Sequence, residues 1–354
     1  RDIERHKMKK YRKSIGDIIS NKDYFSVQND KLVDEEKKTV SFYKQQNKRI
    51  ECKICNSILE NATLVRKDIE YFQCNTCGHL NGGFEDSNDF LKFNYTSDNP
   101  DDFRREYQRE EMNIYLNKVK NIYSPKAEFM LESLKEENIN IQDISYLDIG
   151  TGVGHFVYAM NKKFNIDKIE GIDVSKVQIE LGNNILENNN LKEIGLDATL
   201  NYIENANVDV VSAIMVLEHL QSPTSLFKAI NENKHIEYFY IAVPIFSLST
   251  YFQVAFPDVF ERVLYGGHTH LYTKQSLNFL AKEYNFEIVS EWWFSSDIHD
   301  LFRSLRVMME KNSQPVSSLE GFDKIFLPLI DKLQLEIDKS ESSSEVHMLL
   351  KKKS

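Results

Sequence analysis

Four cysteines fall in two pairs, Cys52-Lys53-Ile54-Cys55 and Cys74-Asn75-Thr76-Cys77, separated by eighteen residues. Two C-x-x-C knuckles ~15–20 residues apart have the spacing of a closed, tetrahedral four-thiolate zinc site. Each knuckle supplies two ligands from one turn, and the separation permits a hairpin. Gly78 follows the second pair, where a knuckle turn needs a permissive backbone. Such a site has no open coordination position, so the metal is expected to be structural. The competing reading is a redox dithiol, or two unrelated pairs of reduced thiols.

A second cluster is Asp148-Ile149-Gly150-Thr151-Gly152-Val153-Gly154, at the end of an expected strand and the start of an expected helix. Glycines there let the backbone turn sharply and approach a ligand, while the helix start offers unpaired N–H groups to an anion. The spacing is G-x-G-x-G with His155 next, unlike the G-x-G-x-x-G of dinucleotide binders, and no G-K-[S/T] ending follows. The next strand ends in Gly171-Ile172-Asp173, nineteen residues beyond Gly154, where an acid can accept from ribose hydroxyls. A ligand with a ribose and a carboxylate but no pyrophosphate fits, and S-adenosylmethionine is such a ligand.

These residues resemble the class I S-adenosylmethionine-dependent methyltransferases. Leu147–Gly154 is similar to their first motif, Gly171-Ile172-Asp173-Val174-Ser175 to the acidic second, and Leu196-Asp197-Ala198 to the third. Asp209-Val210-Val211 and Val216-Leu217-Glu218-His219-Leu220 resemble the fourth-strand region of the subgroup that includes ubiquinone-biosynthesis methyltransferases. The resemblance covers roughly residues 140–295 and the final strand. It implies that Gly150, Gly152 and Gly154 cradle the methionine moiety, Asp148 orients its amino group, Asp173 holds the ribose and Asp197 the adenine. Capping or turn formation is the competing role for Asp173 and Asp197. A zinc ribbon ahead of such a domain resembles bacterial methyltransferases associated with surface-polysaccharide or sugar modification.

The sulfonium methyl of that cofactor is already activated, so the protein mainly aligns donor and acceptor. A neutral hydroxyl acceptor benefits from a base, and histidine suits that role near neutral pH. His219, just after the fourth strand, is the first candidate; its competing role is to anchor the following loop. His268 and His270, in Tyr265-Gly266-Gly267-His268-Thr269-His270-Leu271-Tyr272, precede a helix starting near Thr273. Family resemblance favours His270 of the two. No N/D-P-P-Y/F sequence follows the fourth strand, where Ala213-Ile214-Met215-Val216 stands, which argues against base exocyclic amines. Pyrimidine carbon-5 methylation needs a cysteine nucleophile, and all four cysteines are assigned to metal.

The elements that must position these residues alternate. Expected strands are Tyr146–Ile149, Lys168–Asp173, Glu193–Leu196, Val208–Ile214 and Glu237–Val243, with helices near Gly154–Lys163, Lys176–Asn188 and Thr224–Asn231. Ser124-Pro125-Lys126-Ala127-Glu128 reads as a helix start. Lys274–Tyr284 reads as a helix, Phe286–Trp292 as a strand and Glu345–Leu350 as a closing strand. The fold class is therefore α/β, Rossmann-like and doubly wound, and the resemblance implies a seven-stranded sheet in the order 3-2-1-4-5-7-6. The organisation is a basic, polar N-terminal arm (1–48), read as solvated; a zinc ribbon (49–92); a helical connector or lid (93–139); and a methyltransferase domain (140–354) with a helical insertion at about 297–340. Aromatics in 93–123 (Phe93, Tyr95, Phe103, Tyr107, Tyr115, Tyr123) and 246–256 (Phe246, Tyr251, Phe252, Phe256) read mostly as packing, with a further role in covering the cofactor and shaping the acceptor pocket. Trp292 and Trp293 read as core.

Of 354 residues, 41% are hydrophobic and 28% charged, enough for a sizeable core. Lys plus Arg number 44 and Asp plus Glu 54, a charge of −10 that argues against coating nucleic acid or an anionic membrane. No apolar run reaches the ~18–20 residues of a membrane span. The expectation is a cytoplasmic methyltransferase using S-adenosylmethionine and structural zinc on a small acceptor, a sugar hydroxyl, free or nucleotide-linked, for a surface glycan. RNA methylation with the ribbon as reader, and a non-catalytic cofactor-binding assembly protein, are the alternatives.

Overall fold

The computed structural model describes residues 8–13, 28–90, 93, 111–260, 263–264 and 267–353. The chain enters with β1 (Met8–Tyr11) and α1 (Asn29–Tyr43). Leu32, Glu36, Val40 and Tyr43 fall at three- and four-residue intervals and form one buried helix face. That face lies against a small antiparallel sheet of β2 (Leu64–Arg66), β3 (Ile69–Gln73) and β4 (Leu80–Gly82), whose Leu64, Ile69, Tyr71 and Leu80 join Val40 and Tyr43 in one cluster. Glu36 sits inside this cluster because Arg66 Nη1 meets it at 2.7 Å and Lys67 meets its other oxygen. A buried carboxylate is tolerated only with such partners.

A continuous helical stretch follows, α2 (Met112–Lys118), one π turn (Val119–Tyr123) and α3 (Ser124–Glu136). Ser124 therefore opens α3 from within the helical stretch, not as an extended N-cap. It is itself helical, at φ −61° and ψ −44°, and its N–H reaches back to the Val119 carbonyl. Pro125 has no N–H to contribute, and the wider turn ahead of it is where the helix absorbs that loss.

The strand–helix alternation then runs β5 (Tyr146–Ile149), α4 (His155–Tyr158, extended by a π turn to Lys163), β6 (Ile169–Asp173), α5 (Lys176–Leu186), β7 (Leu191–Glu193), α6 (Leu196–Glu204), β8 (Val210–Ile214), α7 (Pro223–Glu232), β9 (Tyr238–Pro244) and α8 (Leu248–Ala255). The third of these strands lies earlier than Glu193–Leu196: Leu191 is the buried residue, and Leu196 opens α6 with 60% of its surface exposed. After α8 come β10 (His270–Leu271), α9 (Lys274–Glu283), β11 (Phe286–Trp293), α10 (Asp297–Lys311), α11 (Val316–Phe326), α12 (Ile330–Lys339) and β12 (Glu345–Lys352).

The main sheet is eight-stranded and mixed, in the order β1-β11-β12-β9-β8-β5-β6-β7. Neighbours from β9 to β7 are parallel, whereas β12 runs antiparallel to both β9 and β11. The eighth strand corrects the seven-stranded expectation. Met8–Tyr11 pairs in parallel with Ser290–Trp293 and covers the sheet edge. The arm 1–48 is thus not simply solvated: within it lie an edge strand and a packed helix. Three of its described cations are matched, Lys9 to Glu341 at 2.5 Å, Lys10 to Glu132 and Arg12 to Asp331 at 3.6 Å each.

One sheet face packs Leu147, Val211, Phe239 and Met348 against α7 and α9, and this cluster runs on into Cys52, Ile54, Cys74 and Cys77. The other packs Tyr240 and Trp292 against Phe129 and Phe156. Trp292 and Trp293 are buried, one in each cluster. The helices after β11 cluster through Ile298, Phe302, Phe322 and Ile330. Asp297 ties them to the domain, accepting from Ser247 Oγ at 3.2 Å, Ser249 Oγ at 2.5 Å and the Ser344 N–H at 3.1 Å. Among the described residues no helix is long and apolar enough to cross a membrane.

Candidate active site and metal centre

At the carboxyl end of β5 the backbone enters the left-handed region three times, at Gly150 (φ +66°), Gly152 (+56°) and Gly154 (+79°). Gly150 has a second constraint: a Cβ there would meet Val216 Cγ2 at 2.5 Å. Asp148 lies buried beneath this loop and accepts from Ser212 Oγ at 2.6 Å. Burial pushes its carboxyl up to about 7, against the pull of that hydroxyl. Such a carboxyl is poised to gain charge when a cationic group approaches. Asp173, at the end of β6, accepts the Gly152 N–H at 2.9 Å through Oδ2 and the Ser175 N–H at 2.9 Å through Oδ1. It too is raised by burial, with the backbone bonds opposing. Asp197 stands apart, exposed in the first turn of α6.

Two aromatics from the helical stretch brace the loop. Tyr115 and Tyr123 stack on the two sides of His155 at centroid distances of 4.3 and 4.9 Å, and the Tyr115 hydroxyl donates to the Val153 carbonyl at 3.3 Å. Phe93 stacks on Phe42 of α1 at 4.5 Å, and Phe246 packs beside Tyr251 of α8. Tyr95, Phe103, Tyr107, Tyr265 and Gly266 lie outside the described residues, as do Arg1, Arg5 and Lys7.

His219 ends a single 3₁₀ turn, Leu217–His219, just past β8 and Val216, the residue that limits Gly150. Its ring is half-buried and lies 4.8 Å from that of His268. Glu218 Oε1 is 3.9 Å from His219 Nε2. Ligand atoms of Glu218, His219 and His268 all fall within 4.8 Å of one another, a donor set that also suits a divalent cation. The partner of His219 is thus His268. His270 turns away, buried, and shares a hydrogen bond of 2.9 Å between its Nδ1 and Nε2 of His79. Burial drives both imidazoles well below the usual histidine range, so the pair is neutral. His270 is only 1% exposed, which weighs against it as the base.

The four cysteine sulfurs converge. Cys52 Sγ lies 3.5 Å from Cys77 Sγ, Cys55 Sγ lies 3.4 Å from Cys74 Sγ, and all four fall within 4.8 Å of one another. A disulfide requires ~2.05 Å, whereas four Zn–S bonds of ~2.3 Å place the sulfurs roughly 3.8 Å apart at the corners of a tetrahedron. Both knuckles form the same turn: Asn56 N–H to Cys52 O at 2.9 Å, and Gly78 N–H to Cys74 O at 2.8 Å. Cys52 Sγ is further approached by the Ile54 N–H and Asn81 Nδ2, each at 3.5 Å, donors suited to a thiolate.

His79 and the pairing of β4 with β10 had no signal in the sequence. A cleft of about 770 Å³ bordered by Lys168, Asn190, Lys192 and Tyr202 opens at the amino ends of β5 to β8. That is the edge opposite the glycine loop, whereas ligands of open parallel sheets bind at the carboxyl edge.

The methyltransferase-domain family profile matches residues 115–291, half of the chain. Comparison with curated proteins gives no match. Among solved structures, the chain is similar to a putative sarcosine dimethylglycine methyltransferase from Galdieria sulphuraria (14% identity, 64% of this chain and 84% of that chain, TM-score 0.41). It is also similar to a magnesium protoporphyrin IX methyltransferase from Synechocystis with bound SAH (11%, 71% and 92%, 0.43). A third is phosphoethanolamine N-methyltransferase 2 of Haemonchus contortus in complex with S-adenosyl-L-methionine (16%, 63% and 52%, 0.40).

Proposed function

The chain belongs to the methyltransferase-domain family, and from that premise we propose that it moves a methyl group from S-adenosylmethionine to the hydroxyl of a small acceptor, a sugar or nucleotide-linked sugar. The observation that carries this reading is the placement of His219, flanked by Glu218 and His268, just beyond the β8 end that adjoins the glycine loop. A base beside the cofactor loop is what a hydroxyl acceptor requires.

The residues present fit the cofactor. Asp148 would meet its ammonium group, the Gly150–Gly154 loop its carboxylate, Asp173 its ribose and Asp197 its adenine. When bound, the cofactor supplies an activated methyl. His219 would take the hydroxyl proton on a ring nitrogen, Glu218 would stabilise the resulting imidazolium, and His268 would fix the ring plane. Zinc would sit among Cys52, Cys55, Cys74 and Cys77 as a structural ion. The acidic charge and the paired cations of β1 favour a small acceptor over RNA.

The test offers methyl-labelled S-adenosylmethionine and a bacterial extract divided into RNA, protein and small-molecule-plus-glycan pools. Label is expected in the last pool, reduced by about a hundredfold or more in His219→Ala with cofactor affinity retained. Label in RNA alone would replace the sugar reading with an RNA-methylating one.

A further inference from the structure

The ribbon is joined to the His219 turn by an unbroken chain of buried contacts. All three residues of β4 are buried, and the strand pairs antiparallel with β10, His270 opposite Asn81 and Leu271 opposite Leu80. The Gly82 N–H donates to the Thr269 carbonyl at 2.9 Å, and a Cβ on Gly82 would meet that carbonyl oxygen at 2.5 Å. Thr273 Oγ1 donates to the carbonyl of Gly78, next to the knuckle, at 3.1 Å. His79 bonds to His270 at 2.9 Å, and the Tyr272 ring stands edge-on to both imidazoles, at 5.0 and 5.5 Å. Tyr272 then turns its hydroxyl to the carbonyl of Leu217 at 3.1 Å, inside the turn that carries Glu218 and His219. His268, on the same segment, brings its ring to His219.

We propose that the ribbon is a positioning element of the acceptor site: the Cys74–Cys77 knuckle fixes His79, and His79, through His270 and Tyr272, fixes the Leu217–His219 turn. This rests on the reading of His219 as the base. The chain is two buried hydrogen bonds, His79 to His270 and Tyr272 to Leu217, joined by edge-on ring packing, and breaking either bond leaves a desolvated group behind. The segment 268–273 is held on one side by ribbon backbone and on the other by the turn. Thiolate oxidation or metal withdrawal at the knuckle would therefore be felt at His219, while the Asp173 bond that holds the glycine loop stays outside the chain of contacts.

The nine histidines make the imidazole NMR spectrum of the full chain readable. With carbon-labelled histidine, the His219 cross-peak is assigned from His219→Gln. His79→Phe breaks the ribbon side of the chain, and Tyr272→Phe removes a single hydroxyl on the turn side while keeping the ring. Both are expected to displace the His219 cross-peak while affinity for S-adenosylhomocysteine stays within about twofold, because the bond that holds the glycine loop, from the Gly152 N–H to Asp173, is not part of this chain of contacts. Withdrawal of zinc by a chelator is expected to displace the same peak. An unmoved His219 peak in both variants, even with a lowered melting temperature, would make the ribbon merely structural and overturn the proposal. Loss of the cofactor reading would register separately, as failure of the unaltered protein to bind S-adenosylhomocysteine.

Discussion

Asp173 holds the backbone of Gly152: its Oδ2 accepts that N–H at 2.9 Å, while its Oδ1 accepts the Ser175 N–H at the start of α5. One carboxylate thus ties the end of β6 to the turn after β5, and with about four lone-pair sites it keeps acceptor capacity for a ribose hydroxyl. Removing it would cost the ligand twice, in a lost acceptor and a loosened loop. Asp173→Ala is expected to weaken S-adenosylhomocysteine binding at least tenfold, about 1.4 kcal/mol, with Asp173→Asn in between. Calorimetric titration decides; equal affinities in all three proteins would free the loop from this carboxylate.

The loop glycines differ in what they tolerate. Gly150→Ala places a methyl in a left-handed backbone and 2.5 Å from Val216 Cγ2, whereas at Gly152 the new Cβ meets only the flexible Gln178 side chain at 3.3 Å. Gly152→Ala is expected to lose about 1 kcal/mol of stability for backbone conformation alone, and Gly150→Ala roughly 2–4 kcal/mol. Urea unfolding of both variants gives the order; a reversed order would mean that Val216 moves aside.

Asp148 is expected to make cofactor binding pH-dependent. Its carboxyl titrates near 7 in the ligand-free protein because burial penalises the charge. A bound ammonium favours the charged form, so affinity should fall as pH drops below about 7, approaching tenfold per unit. Stability runs the other way. The folded value lies above the ordinary 3.8, so the ligand-free protein loses stability as pH rises from that value through about 7. Asp148→Asn should flatten both slopes; titrations at pH 5.5, 6.5 and 7.5 that give one affinity for the unaltered protein would remove Asp148 from the binding site.

The ribbon should carry one zinc per chain. Cys52→Ser and Cys74→Ser each remove one of the four converging sulfurs, and metal content by atomic emission is expected to fall well below one equivalent. Since the cluster holding Cys52, Cys74 and Cys77 also contains Leu277, Leu280 and Tyr272, metal loss should lower the melting temperature of the whole chain. Full metal retention in either variant would dismiss the four-thiolate site.

The parallel half of the sheet was legible because buried parallel strands are short apolar runs between helices, as at Tyr146–Ile149 and Val210–Ile214. The glycine loop was legible too, since its turn demands a residue type. The N-terminal region misled for a physical reason. Glu36 interrupts the apolar face of α1 and makes it read as solvated, and only Arg66 and Lys67, thirty residues on, neutralise it. β1 likewise carries two lysines whose partner acids, Glu132 and Glu341, lie more than a hundred and more than three hundred residues away. His268 and His270 sit two residues apart, and composition cannot tell which faces His219. That is decided by β4, which pairs with His270–Leu271 and takes His270 into the ribbon.

The edge strand has a consequence for the time course of folding. Met8 pairs with Ser290 and Tyr11 with Trp293, so during synthesis β1 waits some 280 residues for its neighbour, roughly 15–55 s at typical ribosomal rates. β11 in turn pairs with β12, near residue 350. One flank of the sheet therefore joins segments some 280 to 340 residues apart, and this high contact order is expected to slow its closure. Until then Lys9 and Lys10 keep the unpaired strand charged, a safeguard against its joining the sheet edge of another nascent copy.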